Sequence, residues 1–557
     1  MADSHPPLGA TSSSEGFSYL QYFQKVDFLL LEIKLVISTL GIIWLGAHAS
    51  LRRPPSAAPA KDQKPGEEDE EEQSFSQGLE PTDAILFPVM AACVLMGLYH
   101  AIQWLKDPDI INTLIRNYIA TISVASLVNL YSHGMDLATG FLFPRYWRGR
   151  DGKLRAVDQR TRTVKLCDAV GNPSPGTNDS LNPFPGFLRF LGASEKLSSA
   201  AWSVRDLLKR RWAVKIFVHG FGKKEGKIKF CNIVAVLMAV TTVISYSYTS
   251  ATVLANTLGY GMCYGSFQLI SPTDYITGSM LLTGLFVYDI VMVFYTPYMV
   301  TVATKLDAPI KLTFTVADRS SILGLGDIVI PGILIAMALR FDLYLHYKRK
   351  IKYESTDLKL VEKDPSTGTV VTRSEMKHRE VKAKYVNVKS NWGDYLWVRE
   401  GIFSRPKIMP PALQATIFKK TYFYASMTGY LLGMLVTLVM LLVFRRGQPA
   451  LLYLVPGVLG ALWTTALLRG ELKAMWSYTE DGSIDTVDVV VDLDGDGKPI
   501  KQIGELKDGI VDTTKSGDGE TAEQHENKQE EEKHAEKGGH KVLILSVEAP
   551  DDEIESL

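Results

Sequence analysis

Apolar residues dominate nine stretches of the chain: Ile33–Leu51, Ala84–Leu105, Thr113–Tyr131, Cys231–Thr249, Ala251–Ile270, Ile276–Val300, Ile322–Leu345, Thr421–Phe444 and Pro449–Leu468. Each approaches the roughly 20 residues that a helix needs to cross a bilayer, where backbone hydrogen bonds can be satisfied only internally. The pattern predicts an all-α polytopic membrane protein with nine transmembrane helices. The first stretch is the least regular, because Glu32 and Lys34 sit at its edge and are expected to reach toward the headgroups. The fourth and fifth are separated by almost nothing, which leaves a merged or re-entrant pair open.

The polar stretches divide the rest. Residues 1–32 precede the first span, and spans one to five occupy 33–270 with a basic loop at 145–230. Spans six and seven fall within 276–345, an insert follows at 346–420, spans eight and nine fall within 421–470, and a polar tail runs over 471–557. Arg148, Arg150, Lys153, Arg155, Lys209, Arg210 and Arg211 crowd the loop before span four, and Lys348, Arg349, Lys350 and Lys352 abut the end of span seven. The connections Lys106–Asn112 and Thr301–Ser321 on the other side are short and nearly balanced. Basic flanks are retained in the cytosol, so the N-terminus is expected in a lumen and the C-terminus in the cytosol. The acidic run Glu67–Glu72 falls on the cytosolic side but weighs little. The sequon Asn178-Asp179-Ser180 is then cytosolic and is expected to stay unmodified.

The net charge of -1 gives no support for nucleic acid binding. Cys93, Cys167, Cys231 and Cys263 lack the spacing of a disulfide framework or a zinc site, and no other metal-ligand cluster stands out, so neither metal nor cofactor is expected. Residues Met1 to Gly16 have no basic region followed by a cleavage site, so no removable signal peptide is expected. Val204, Leu207, Leu208 and Trp212 follow helical spacing among basic residues, as in a helix lying on an anionic leaflet or a solvated one. Thr369–Thr372 and Val381–Val388 have strand-like character, so the insert is expected to form a small folded appendage. The tail, above all Lys515–Lys541, has too few apolar residues to fold and is expected to be largely disordered. Asp492, Asp494 and Asp496 imitate half of a calcium loop, but Ile503 stands where its glutamate is needed.

A carboxylate deep in a span is costly and marks a functional site by default. Asp289 and Asp327 are so placed, on consecutive antiparallel spans and at comparable depth. Two facing carboxylates cannot both ionise cheaply and hold one proton between them. The ionised partner can then activate water while the protonated one donates to the scissile amide. Charge alone divides this reading about evenly from a proton or cation relay in a transporter, and an idle membrane chaperone is a further rival. Gly324 and Gly326 beside Asp327 remove side chains where an extended chain must approach closely.

Tyr288-Asp289, Gly324-Leu325-Gly326-Asp327 and Pro449-Ala450-Leu451 resemble, in order and on the expected spans, the YD, GxGD and PAL motifs of the signal peptide peptidase family, and the run Leu323–Asp342 is also similar to it. Presenilins share the short motifs but not the longer run. The resemblance implies the presenilin and signal-peptide-peptidase-like fold and an intramembrane aspartyl endopeptidase. In that reading Asp289 and Asp327 are the catalytic pair, Tyr288 lies beside the first, and Pro449, Ala450 and Leu451 shape the site where substrate enters. The implied substrates are bilayer-spanning signal peptides and type II membrane proteins, and the implied location is the endoplasmic reticulum membrane. A homo-oligomer is left open. Pro449 could also simply begin a helix.

Overall fold

The computed structural model describes residues 15–59, 77–104, 108–149, 151–168, 180–218, 222–306, 308–316, 319–363, 370–389, 392–399, 409–444, 448–482, 489–493, 499–507, 510–512 and 543–548. Every predicted span contains a helix. The helices are α1 (Glu15–Ala49), α2 (Pro81–Trp104), α3 (Pro108–Leu142), α4 (Glu195–Lys209), α5 (Phe230–Thr249), α6 (Thr252–Leu269), α7 (Tyr275–Ile290), α8 (Tyr298–Lys305), α9 (Leu325–Lys348), α10 (Trp392–Val398), α11 (Pro411–Gln414), α12 (Thr421–Phe444), α13 (Leu451–Arg469) and α14 (Leu472–Trp476).

Eight helices among the described residues are long and apolar enough to cross a bilayer. The remaining expected span, the fifth, is present as α6 but is only 18 residues long and rich in glycine and polar groups. It needs no apolar outer face, because it is packed inside the bundle between α3 and α9. At Gly261 and Gly265 a Cβ would collide with Leu127 and Ser126 of α3, so these glycines permit that approach.

The centre of the bundle is α9, which is buried along nearly its whole length and contacts α1, α6, α7, α12 and α13. An apolar helix surrounded in this way has no preferred lipid face, hence its unbroken hydrophobic sequence from Ile328 to Leu339. Against its outer neighbours, α12 and α13 cross so closely that a Cβ on Gly429 would overlap the carbonyl oxygen of Gly457. Gly429→Val is expected to separate the two helices and to lower the melting temperature of the detergent-purified protein by several degrees; an unchanged melting curve would contradict this crossing.

Three expectations about the spans are corrected. Span six is not continuous: α7 runs into a π-helical turn at Val291–Tyr295, breaks before Pro297, which restricts Thr296 to an extended backbone, and resumes as α8. Span seven does not begin at Ile322, since Arg319–Gly324 is a strand paired antiparallel with Lys311–Val316, and the helix starts at Leu325. Glu32 does not reach for headgroups but is 4% exposed inside the bundle, with Lys34 exposed beside it. The third helix also outruns its predicted length: 35 residues rise roughly 50 Å, more than a bilayer core requires.

The membrane part is all-α, while the connecting segments add β structure. Tyr146–Arg148, Leu154–Asp158 and Thr163–Leu166 form one small sheet, and Arg211–Val218, Gly222–Lys229 and Leu543–Glu548 another. In the insert, Lys352–Lys363 and Val370–Val381 pair along twelve residues each. The tail contributes Val489–Leu493, Pro499–Lys507 and Ile510–Asp512, which close a five-stranded barrel with that hairpin. Of the tail, expected to be largely disordered, these strands and Leu543–Glu548 are described beyond residue 482, and 515–541 lies outside the described residues. The expected strand at Val381–Val388 ends at Val381, apart from an isolated bridge between Ala58 and Lys384. In α4, Trp202 and Arg205 face the protein while Val204 and Leu207 are exposed. Residues 67–72 and 178–179 also lie outside the described residues.

Candidate active site

The site forms where α7 ends, α9 begins and α13 begins. Asp274 caps the start of α7, its carboxylate accepting the N–H of Thr277 at 2.6 Å. From there α7 carries Tyr288 and Asp289 in its last turn, just before the π-helical turn. Asp289 is 5% exposed. Its Oδ2 accepts the backbone N–H of Leu451 at 3.0 Å.

That bond explains why Pro449, Ala450 and Leu451 occur together. Leu451 is the first residue of α13, and its N–H has no partner within the helix. Ala450 is the helical N-cap, and Pro449 sits outside the helix, contributing no N–H. The positive end of α13 is thus directed at Asp289. The Pro449 carbonyl accepts a short-turn bond from Leu452 N–H at 3.3 Å, which tightens the irregular entry.

Asp327 lies in the first turn of α9, with Gly324 as N-cap. A Cβ on Gly324 would lie 3.3 Å from Asp327 Oδ2, so a larger residue there would press on the carboxylate. Gly326 differs. An added Cβ would meet nothing nearer than Ile330 Cδ1 at 3.9 Å, so the protein's own packing does not require glycine there and the space beside it is open. Asp289, in the last turn of α7, and Asp327, in the first turn of α9, are carried by helices that pack against each other and against α13.

Tyr430 of α12 was not foreseen. It is 1% exposed, and its hydroxyl donates to the backbone carbonyl of Asp327 at 3.3 Å, bracing the first turn of α9 from behind. A tyrosine within an apolar helix gives no hint of this, because its partner lies 103 residues away. Tyr288 is half-buried and packs against the main core and the smaller cluster of α2 and α8. Among the described residues no group of His, Cys, Asp or Glu stands where it could hold a metal ion.

The model of a family described as signal peptide peptidase matches residues 69–482. The chain belongs to the signal peptide peptidase family. It is 27% identical over 411 residues to a mouse protein named signal peptide peptidase, covering 72% of this chain and 74% of that one. It is 26% identical over 421 residues to the human protein of the same name, covering 74% and 77%. Intramembrane protease 2 of Caenorhabditis elegans is 31% identical over 263 residues, 46% of this chain and 44% of that one. Membership makes the chain a multi-pass membrane protein and an intramembrane protease of the aspartic type. The transporter and chaperone alternatives fall with it.

Proposed function

We propose that Asp289 and Asp327 are the catalytic pair and that they cleave the membrane-spanning segments of signal peptides and type II membrane proteins. The observation that carries this reading is the bond from Leu451 N–H to Asp289, because it joins two of the three sequence motifs directly, beside the helix that carries the third. One carboxyl of the pair holds a proton and the other does not. The ionised group takes a proton from the attacking water, and the protonated group donates to the scissile carbonyl and then to the leaving nitrogen. Leu451 N–H fixes one Asp289 oxygen and leaves the other for water. The positive end of α13 favours Asp289 as the ionised member.

A substrate helix must unwind before its carbonyls can be attacked, and the open flank at Gly326 has room for an extended segment. Gly326→Leu fills that room. It is expected to fold normally and to raise KM for a signal peptide about tenfold or more, whereas unaltered cleavage kinetics would place the substrate elsewhere. The decisive experiment incubates the purified full-length protein with a synthetic signal peptide, with and without an aspartyl-protease transition-state analogue, and identifies products by mass spectrometry. Inhibitor-sensitive cuts within the apolar core are expected. A peptide that binds and is never cut would refute the proposal.

The same proposal places the protein in the endoplasmic reticulum membrane, N-terminus luminal, with Lys348–Lys352 in the cytosol. An Asn-x-Thr sequon added before Glu15 is then glycosylated in cells while Asn178 remains bare. The opposite pattern would invert the topology.

A further inference from the structure

At the end of α9 remote from Asp327, a cavity of about 1760 Å³ opens among the ends of α1, α3, α9 and α13 and the approach to α12. It is separate from the aspartate pair: Asp342 on its wall lies fifteen residues along α9 from Asp327, roughly 22 Å. Seven of its lining side chains are Lys or Arg, three are His and one, Asp342, is acidic, so the cavity is biased positive.

The acids nearby offset only part of that bias. Asp342 accepts the N–H groups of Tyr422 and Phe423, at 3.1 and 2.9 Å, and so caps α12. Glu471 pairs with Arg349 and Arg469 at 2.8 Å each. Lys420 donates instead to a neutral acceptor, Nε2 of His48 at 2.8 Å, while His48 Nδ1 is 2.8 Å from the Trp44 carbonyl. These contacts fix His48 as the neutral tautomer with its proton on Nδ1. Burial pushes the Lys420 ammonium down to about 8, with only the charge of Asp342 opposing it. The Nε2 of His346, on the same wall, is buried without a hydrogen-bond partner. An anion beside Lys420 would supply the opposite charge that its neutral acceptor lacks.

Position decides which anion. The cavity sits where α9 leaves the membrane, and its wall sets these cations beside Trp44, Trp392 and Tyr424, rings that suit the level of lipid headgroups. Trp392 and Tyr424 are about half exposed, and Trp44 meets Trp392 edge to face at 5.7 Å. Basic pockets between transmembrane helices with such a rim hold phosphorylated headgroups.

We propose that this cavity binds the phosphorylated headgroup of an anionic phospholipid, with Lys419 and Lys420 toward the phosphate and Trp44 and Tyr424 toward the glycerol and acyl chains. The site is independent of the catalytic reading, so Asp289→Asn retains it.

Native mass spectrometry of the full-length protein in detergent tests this, using phosphatidylinositol 4-phosphate, phosphatidylcholine and inorganic phosphate as separate probes. The phosphoinositide is expected to stay bound at collision energies that strip phosphatidylcholine, and phosphate alone is expected to compete poorly. Lys350→Gln combined with Lys419→Gln, both exposed lysines, is expected to weaken retention roughly thirtyfold. Should that variant misfold, lysine acetylation of the unmodified protein supplies the reading, since the lipid is expected to protect Lys419 and Lys420 from reagent. Equal retention of both lipids, no protection, or competition by phosphate as effective as by lipid would each overturn the proposal.

Discussion

Asp289→Asn and Asp327→Asn are each expected to reduce signal-peptide cleavage by about 10⁴-fold, with the double variant hardly worse than either single one. The factor reflects loss of a group that must gain or give a proton at each turnover. Additivity is not expected because in the proposed mechanism the two carboxyls act as one unit, so removing either leaves nothing for the other to do. Asparagine is the informative replacement. At position 289 its Oδ1 can still accept the N–H of Leu451, so the junction of α7 and α13 survives and melting temperature stays close to that of the parent. Substrate binding is therefore retained while turnover and binding of a transition-state analogue are lost. Cleavage rates from single-turnover assays, with peptide binding measured in parallel, check the prediction. Substantial cleavage by either variant would remove the pair from the mechanism.

Much of this site is legible in the sequence because lipid imposes severe rules. Continuous apolar runs had to be helices, and carboxylates within them needed a reason to be there. What escaped prediction depends on tertiary geometry. Ile322 and Leu323 read as the start of a span because a short apolar run does not distinguish strand from buried helix; pairing with Lys311–Val316 decides it. Pro297 was a visible signal for the break after α7, and it lay inside a run apolar enough to mask it. Asp342 and Arg340 fall within the same run as Asp327, yet their partners are 80 and 140 residues away. The barrel of the insert and tail is similarly hidden, since Val490 and Val491 find Arg379 and His378 across more than a hundred residues.

Glu480→Gln is expected to destabilise the folded protein by about 3–5 kcal/mol, the usual cost of stranding one partner of a buried ion pair. Arg340 and Glu480 are both about 5% exposed or less, joined Nε to Oε1 at 2.8 Å. Arg340 also donates to Ser50 at 2.9 Å and Ser271 at 2.6 Å, while Glu480 accepts from Arg52 at 2.5 Å, Ser271 at 2.7 Å and Tyr478 at 2.7 Å. One cluster thus binds the end of α1, the connection before α7, the middle of α9 and the chain beyond α14. The backbone repeats the link: Glu480 N–H donates to Thr273 at 2.8 Å, one residue before the Asp274 cap that starts α7 and so sets the course toward Asp289. Burial alone would raise the Glu480 pKa, but the guanidiniums of Arg340 and Arg52 prevail and hold it at about 2. A carboxylate held below its unfolded value stabilises fully above about pH 4.5 and loses that contribution as pH falls toward 2, about 3 kcal/mol over the interval. Thermal melts from pH 6 to pH 2 are therefore expected to show a steeper acid loss in the parent than in Glu480→Gln, which begins less stable and lacks this titration. Pairing Arg340→Met with Glu480→Leu removes both charges and is expected to recover part of the loss. If Glu480→Gln melts with the parent, the cluster contributes no net stability and α7 must be held in place by packing alone.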